Sequence, residues 1–218
     1  MLVPTSYAMP AANSKSDSTK TNSKQALVHT LERLQSLHQA VRRNNAPGIV
    51  LFVINGADIN ERNSAGETPL HVAAQFGYLH CLARLLQLKA NINAQDNIGK
   101  TPLHHAVSWR HNECVWMLLA QGACVNIQDH RGFTSLHCAA QVGAIEILAA
   151  LLSSYGADRN ARTTNEETIK DIAKKHYQYN IFNYLSINEP FDNLVEQRVV
   201  SFEKRDKKKS THKKSKQK

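Results

Sequence analysis

What the chain lacks narrows its chemistry first. No stretch approaches the ~20 consecutive apolar residues that cross a bilayer, so no transmembrane helix is expected. Met1 to Pro10 has neither a basic start nor an apolar run of signal-peptide length, which predicts no secretion by that route. The four cysteines, at positions 81, 114, 124 and 138, form no C-x-x-C pair and no zinc spacing. They are expected to be inert, buried and reduced, which fits a cytoplasmic or nuclear setting. No acid, base and nucleophile recur together, so no catalysis, cofactor, metal or small-molecule substrate is expected.

Net charge is also missing from most of the chain. The total is +9, yet the stretch from Arg198 to Lys218 holds ten of the 27 Lys and Arg and only two of the 18 acids, Glu203 and Asp206. The rest is close to balanced and has no electrostatic reason to prefer polyanions. At 218 residues and 42% hydrophobic content, the chain supports one core and offers no reason for a second globular domain.

What is present is a repeat. TPLHVAAQFG at Thr68 returns as TPLHHAVSWR at Thr101 and TSLHCAAQVG at Thr134, 33 residues apart each time. A fixed period of that size marks stacked supersecondary units. QSLHQAVRRN at Gln35 keeps Leu37, His38 and Ala40, and TIKDIAKKHY at Thr168 keeps Thr168 and Ala173 but has Lys170 in place of leucine. Five units follow: 35–67, 68–100, 101–133, 134–167 and a degenerate 168–186.

Each unit predicts a turn and two antiparallel helices. Thr68 caps the first helix, Pro69 suits its first position, and Gly77 closes it. Cys81, Leu82, Leu85 and Leu86 then make one apolar stripe, repeated by Cys114, Val115, Leu118, Leu119 and by Ile147, Leu148, Leu151, Leu152. A pair this short cannot bury its stripe alone, so neighbours must share it. Asn44 and Arg110 replace glycine at the turn between helices. Asparagine tolerates a left-handed backbone, whereas arginine predicts strain or a changed turn. Lys170 predicts a polar outer face on a terminal cap.

These blocks resemble the ankyrin repeat, whose T-P-L-H-x-A signature stands at Thr68 to Ala73 and Thr101 to Ala106, with Ser135 for proline in the third copy. The resemblance covers about two thirds of the chain. It implies an all-α solenoid with β-hairpin loops over 25–186, no enzymatic activity and a monomer that binds a protein partner. His38, His71, His104 and His137 recur once per unit, and the family's histidine hydrogen-bonds between turns. Equivalent helices stack about 8–10 Å apart, too far for these rings to converge on a metal.

The family binds partners with hairpin tips and first helices along a concave face. Carried over, that surface comprises Glu67, Gln75 and Phe76; Asn97, Ile98, Lys100, Ser108 and Trp109; and His130, Arg131, Phe133, Gln141 and Val142. Large apolar residues at positions that do not stack point to an interaction site. The competing reading packs Phe133 and Ile98 against neighbouring hairpins and uses Trp109 to fill the gap beside Arg110.

Residues 1–24, rich in Ser, Thr, Asn and Lys, predict disorder. From 25 to 45, Ala26, Leu27, Leu31, Leu34, Leu37 and Val41 are spaced as a long first helix or a capping helix; the cap is favoured because the end of a stack needs a polar flank. The basic tail, 204–218, carries Lys204, Arg205, Lys207, Lys208, Lys209, Lys213 and Lys214. It fits an import signal read by an import receptor, a contact with nucleic acid or anionic membrane, or a solvated end.

Residues 187–203 form a linker or a short capping helix, since Phe191, Leu194, Val195, Arg198, Val199 and Phe202 fall at helical intervals. Within them, RVVSF resembles the docking motif of protein phosphatase 1 regulators, with Arg198, Val200 and Phe202 as its anchors. The leading expectation is a non-enzymatic adaptor, cytoplasmic or nuclear. The alternatives are a phosphatase-targeting subunit, a nuclear regulator contacting nucleic acid, and a microbial effector acting on host proteins. The partner's identity does not follow from the fold.

Overall fold

The computed structural model describes residues 36–187. The expected N-terminal disorder, the part of the expected 25–45 helix before residue 36, the segment from 188 and the basic tail all lie outside the described residues. The chain divides into two compact units, the first ending at Cys124 and the second beginning at Val125.

Among the described residues the first unit holds three helix pairs: α1 (Leu37–Arg42) with α2 (Ala46–Ile54), α3 (Pro69–Phe76) with α4 (Leu79–Gln87), and α5 (Pro102–Ser108) with α6 (Asn112–Ala120). The first helices pack side by side, α1 on α3 and α3 on α5. The second helices do the same, α2 on α4 and α4 on α6. Leu70, Leu82, Leu85, Leu103 and Leu118 are fully buried between the layers. Each such leucine contributes about 1.5–3 kcal/mol. The second unit holds α7 (Ser135–Val142) with α8 (Ile145–Ser154) and α9 (Ile169–Lys175) with α10 (Tyr179–Ile187); α9 packs on α7. Leu136, Ile147, Leu148, Leu151, Ile169 and Ile172 form its core.

The loops turn tightly without a β-ladder among the described residues. One bond closes each: Asn63 N to Glu67 O at 3.0 Å, Asp96 N to Lys100 O at 2.9 Å, Asp129 N to Phe133 O at 2.8 Å, and Thr163 N to Glu167 O at 3.1 Å. Asparagines one repeat apart secure the longer connections. Asn60 Oδ1 accepts from the Asn91 amide, Asn93 Oδ1 from that of Cys124, and Asn126 Oδ1 from that of Asp158, each at 2.8 Å.

Left-handed turns join the helices. Gly77 has φ of 70°, and Asn44, Arg110 and Tyr177 adopt the same hand at 50°, 59° and 58°. Arginine therefore leaves the turn unchanged, at a cost of about 1–2 kcal/mol. Gly77 is needed twice over, because a Cβ there would lie 2.5 Å from the His111 ring. That ring donates from Nε2 to the Gln75 carbonyl at 3.0 Å, satisfying an acceptor that the end of α3 leaves open.

One expectation needs correction. Cys81, Cys114 and Cys138 are buried, but Cys124 is exposed, because it alternates with the inward-facing Ala123 and Val125. Burial pushes the Cys81 thiol up to about 11 and, with help from Glu113, the Cys114 thiol likewise. Lys170 is half-buried, with its ammonium 5.1 Å from the centre of the Phe182 ring.

The recurring histidine completes the helix cap. His71 Nδ1 accepts from the Thr68 amide at 3.0 Å and lies 2.9 Å from its hydroxyl, while Nε2 donates to the Lys100 carbonyl at 3.0 Å. The ring therefore ties the start of α3 to the following hairpin, and the amide bond requires an unprotonated Nδ1. Burial pushes the pKa of His71 down to about 4, only partly opposed by the Lys100 carbonyl, and burial lowers that of His137 too. At the equivalent place in α9, Asp171 Oδ2 accepts from the Thr168 hydroxyl at 2.6 Å and amide at 2.9 Å.

A histidine kept neutral in the fold binds fewer protons than the unfolded chain between its folded value and its ordinary 6.5. Its stabilisation is complete above pH 6.5 and declines as pH falls toward 4, by about 3 kcal/mol at most. Urea midpoints at pH 7.5, 5.5 and 4.5 should fall in that order, and His71→Gln should flatten the trend. A midpoint indifferent to pH in that window would refute this account of the ring.

Candidate protein-binding surface

The candidate surface is built on side chains that close the hairpin tips. Asn63 Oδ1 accepts from the amides of Ala65 and Glu67, both at 2.9 Å. Asp96 Oδ1 accepts from Ile98 at 3.0 Å and Lys100 at 2.8 Å. Asp129 Oδ1 accepts from Arg131 and Phe133 at 2.9 Å each, and Thr163 Oγ1 from Asn165 and Glu167 at 3.3 and 3.2 Å. These short side chains mimic a backbone turn.

The tips are also fastened to one another. In the first unit the Asn97 amide donates to Ala65 O and its side chain to Ser64 O, both at 3.1 Å. Arg62 Nη1 reaches Gln95 O at 2.7 Å. In the second unit the Thr164 amide donates to Arg131 O at 2.9 Å.

Asp96 joins its tip to the helix behind it. Burial pushes its carboxyl up, but the His105 hydrogen bond and the amides of Lys100 and Ile98 more than offset this, leaving it below the usual range. His105 Nε2 lies 2.9 Å from Asp96 Oδ2, and its ring meets His71 edge-on at 5.5 Å. The 96–100 hairpin is thereby locked to the first helices behind it.

On this frame the predicted residues fall into distinct settings. Phe76, Ile98 and Trp109 are 44%, 55% and 58% exposed, so Trp109 does not fill the turn beside Arg110. Phe133 is only 7% exposed, packed at 5.6 Å on His137 with the Arg131 guanidinium 4.5 Å above it; here the local-packing reading describes the geometry. His130, Arg131 and Asn97 are exposed. Glu67, Gln75, Lys100, Ser108, Gln141 and Val142 are half-buried.

Several of these groups are already engaged. Glu67 accepts from Asn63 Nδ2 at 2.8 Å and, through its carbonyl, from His38 Nε2 at 2.8 Å. Gln141 lies 3.3 Å from His176. Sequence reasoning missed Tyr78, stacked on Phe76 at 5.6 Å, and Arg42, whose guanidinium lies 5.9 Å from the same ring. Their signal is the periodic placement of the turn residues, visible only once Asn44 and Gly77 are aligned. The candidate import lysines and the RVVSF residues lie outside the described residues. No three His, Cys, Asp or Glu gather as a metal site among the described residues, and no helix there is long and apolar enough to cross a membrane.

Asp96→Ala removes the acceptor for two amides and His105, leaving buried donors unmet. A loss of about 2–4 kcal/mol is expected from the urea midpoint. Asp96→Asn, which keeps one acceptor oxygen, should lose less; equal losses would contradict the assignment.

Comparison with known proteins agrees with this architecture. Residues 37–129 match the family described as ankyrin repeats in three copies, and residues 131–164 match a further ankyrin repeat. Human protein phosphatase 1 regulatory subunit 27 is 43% identical over 58 residues, covering 27% of this chain and 38% of that protein. Its mouse counterpart is 41% identical over the same length and coverage. Human Rabankyrin-5 is 42% identical over 55 residues, covering 25% of this chain and 5% of its own length. The chain thus spans well under half of each curated relative. The matched repeats are protein-interaction modules, and their span, together with the helix pairs, capping boxes and fastened tips, places the chain in the ankyrin repeat family.

Proposed function

We propose that this chain is a non-enzymatic adaptor that holds a partner protein through its hairpin tips and first-helix ends. The observation that carries the reading is the exposure of Phe76, Ile98 and Trp109 in the first unit. The tips are fastened by their own hydrogen bonds, so these side chains are presented with little ordering cost, which favours binding. In the second unit His130, Arg131, Gln141 and Val142 offer a more polar surface. On this reading the basic tail serves nuclear import or contact with a polyanion.

Combining Ile98→Ala with Trp109→Ala should weaken the partner complex at least tenfold while shifting the unfolding temperature by no more than a few degrees. Titration of the partner recovered with intact protein checks this. Raising salt from about 50 to 200 mM should change the affinity only slightly, whereas lysine-to-phosphate binding would collapse. Undiminished binding by the double variant, or a steep salt dependence, would refute the apolar contact.

A second reading has separate support. RVVSF fits phosphatase 1 docking, and two relatives bear the name of a phosphatase 1 regulatory subunit. Docking would add an extended strand, with Val200 and Phe202 filling pockets on one side. Val200→Ala with Phe202→Ala should abolish recovery of the phosphatase by the full chain. Unchanged recovery would end this reading and leave the adaptor reading intact.

A further inference from the structure

The ends of the first helices in the first unit carry a row of side chains that the stacking does not use. Arg43, Phe76 and Trp109 stand 33 residues apart, at the same place in three successive pairs, and all are exposed. Contacts make the row continuous. The Arg42 guanidinium lies 5.9 Å from the centre of the Phe76 ring, and Tyr78 stacks on that ring at 5.6 Å. His111, next to Arg110, donates to the Gln75 carbonyl at 3.0 Å.

The row is basic as well as aromatic. Arg42, Arg43 and Arg110 are exposed, and none forms an ion pair with a carboxylate among the described residues. Glu113, the acid nearest to Arg110 in sequence, is exposed in the first turn of α6 and is not paired with it. Arg110 also holds a left-handed backbone at a turn where Gly77 does so without a side chain to strain it. A strained residue kept at an exposed turn points to a use for its side chain.

We propose that this row grips an acidic segment of the partner protein in extended form, its carboxylates on Arg43 and Arg110 and two apolar side chains on Phe76 and Trp109. That chemistry refines, and rests on, the adaptor reading above.

Spacing supports the extended form. Equivalent helices stack about 8–10 Å apart, and an extended chain advances about 10 Å in three residues. Successive repeats therefore meet every third residue of the segment. Two apolar residues at that interval, with acids beyond them on each side, match the order arginine, phenylalanine, tryptophan, arginine. Aromatic and arginine side chains are also those favoured at binding hot spots. A nucleic acid strand would bring a phosphate with every nucleotide, more charge than these arginines answer. Charges at the rim of such a contact set orientation and on-rate more than affinity, so the complex stays only weakly dependent on salt.

Fluorescence anisotropy with the full chain tests this, using a labelled peptide that carries two phenylalanines three residues apart between pairs of glutamates. One control peptide has lysines for the glutamates, and an oligothymidine of equal charge is the other control. The glutamate peptide should bind at least tenfold more tightly than either. Arg43→Glu combined with Arg110→Glu should turn the preference toward the lysine peptide, a change that loss of folding cannot produce. Arg110→Gly should weaken binding of the glutamate peptide several-fold yet raise the urea midpoint, because it removes the backbone strain along with the charge. Equal binding of the two peptides, or a preference that survives the double reversal, would overturn the acidic partner and leave the apolar adaptor surface standing. Tighter binding of the oligothymidine would decide for nucleic acid instead. Failure of both peptides to bind at about 1 mM would also sink the proposal. Undiminished partner binding by Ile98→Ala with Trp109→Ala is the separate result that removes the adaptor reading itself.

Discussion

The first unit depends on an imidazole that must remain neutral. His71 accepts an amide hydrogen bond on one nitrogen and donates to a carbonyl on the other, so one proton is both necessary and sufficient. That single ring closes the start of α3 and fixes the following hairpin relative to it. A helix N-terminus carries donors that its own turns cannot satisfy, and burying them unpaired would cost more than the packing returns. The Thr-x-x-His arrangement resolves this locally and uses the far side of the ring for the neighbour. His105 extends the network by reaching Asp96, which in turn organises the tip over Ile98 and Lys100.

Stacking follows from the shortness of the helices. At six to ten residues, none is long enough to be stable alone in water, and each second helix carries an apolar stripe that its own partner covers only in part. Side-by-side packing within each layer buries Leu82, Leu85, Val115 and Leu118 completely. Helix α2 shows the other limit. It is apolar along most of its length, yet only Gly48 and Ile49 are buried and Ile54 is 75% exposed.

Much of this was legible because the repeat multiplies each signal. Threonine, proline, leucine and histidine at fixed spacing define cap, first turn, core position and cap partner, and four of the stripe positions recur in three successive units. Side chains whose role depends on a neighbour were harder to read. Phe133 has the same size and character as Phe76, but Arg131 lies over its ring and His137 packs beside it, so one is buried and the other is not. Asn60, Asn93 and Asn126 carry a clear period, yet their function requires knowing that an amide some 31 residues away faces each of them. Cys124 escaped because loop alternation, unlike a helix stripe, has no long run from which to read its phase.

The turns between helices explain where the repeat is free to vary. At Gly77 and Gly143 a side chain from the following pair, His111 or Gln178, leans directly onto the glycine, so any Cβ would collide with it. Glycine there is demanded by the neighbour as well as by its own backbone. Tyr177 adopts the same left-handed conformation in the last described pair. An intrinsic cost of about 1–2 kcal/mol opposes a side chain in that conformation. The tyrosine is 76% exposed, and its ring lies 6.5 Å from that of the exposed Tyr179. A left-handed turn without glycine thus bears that backbone cost to carry a large side chain, as Arg110 and Tyr177 each do.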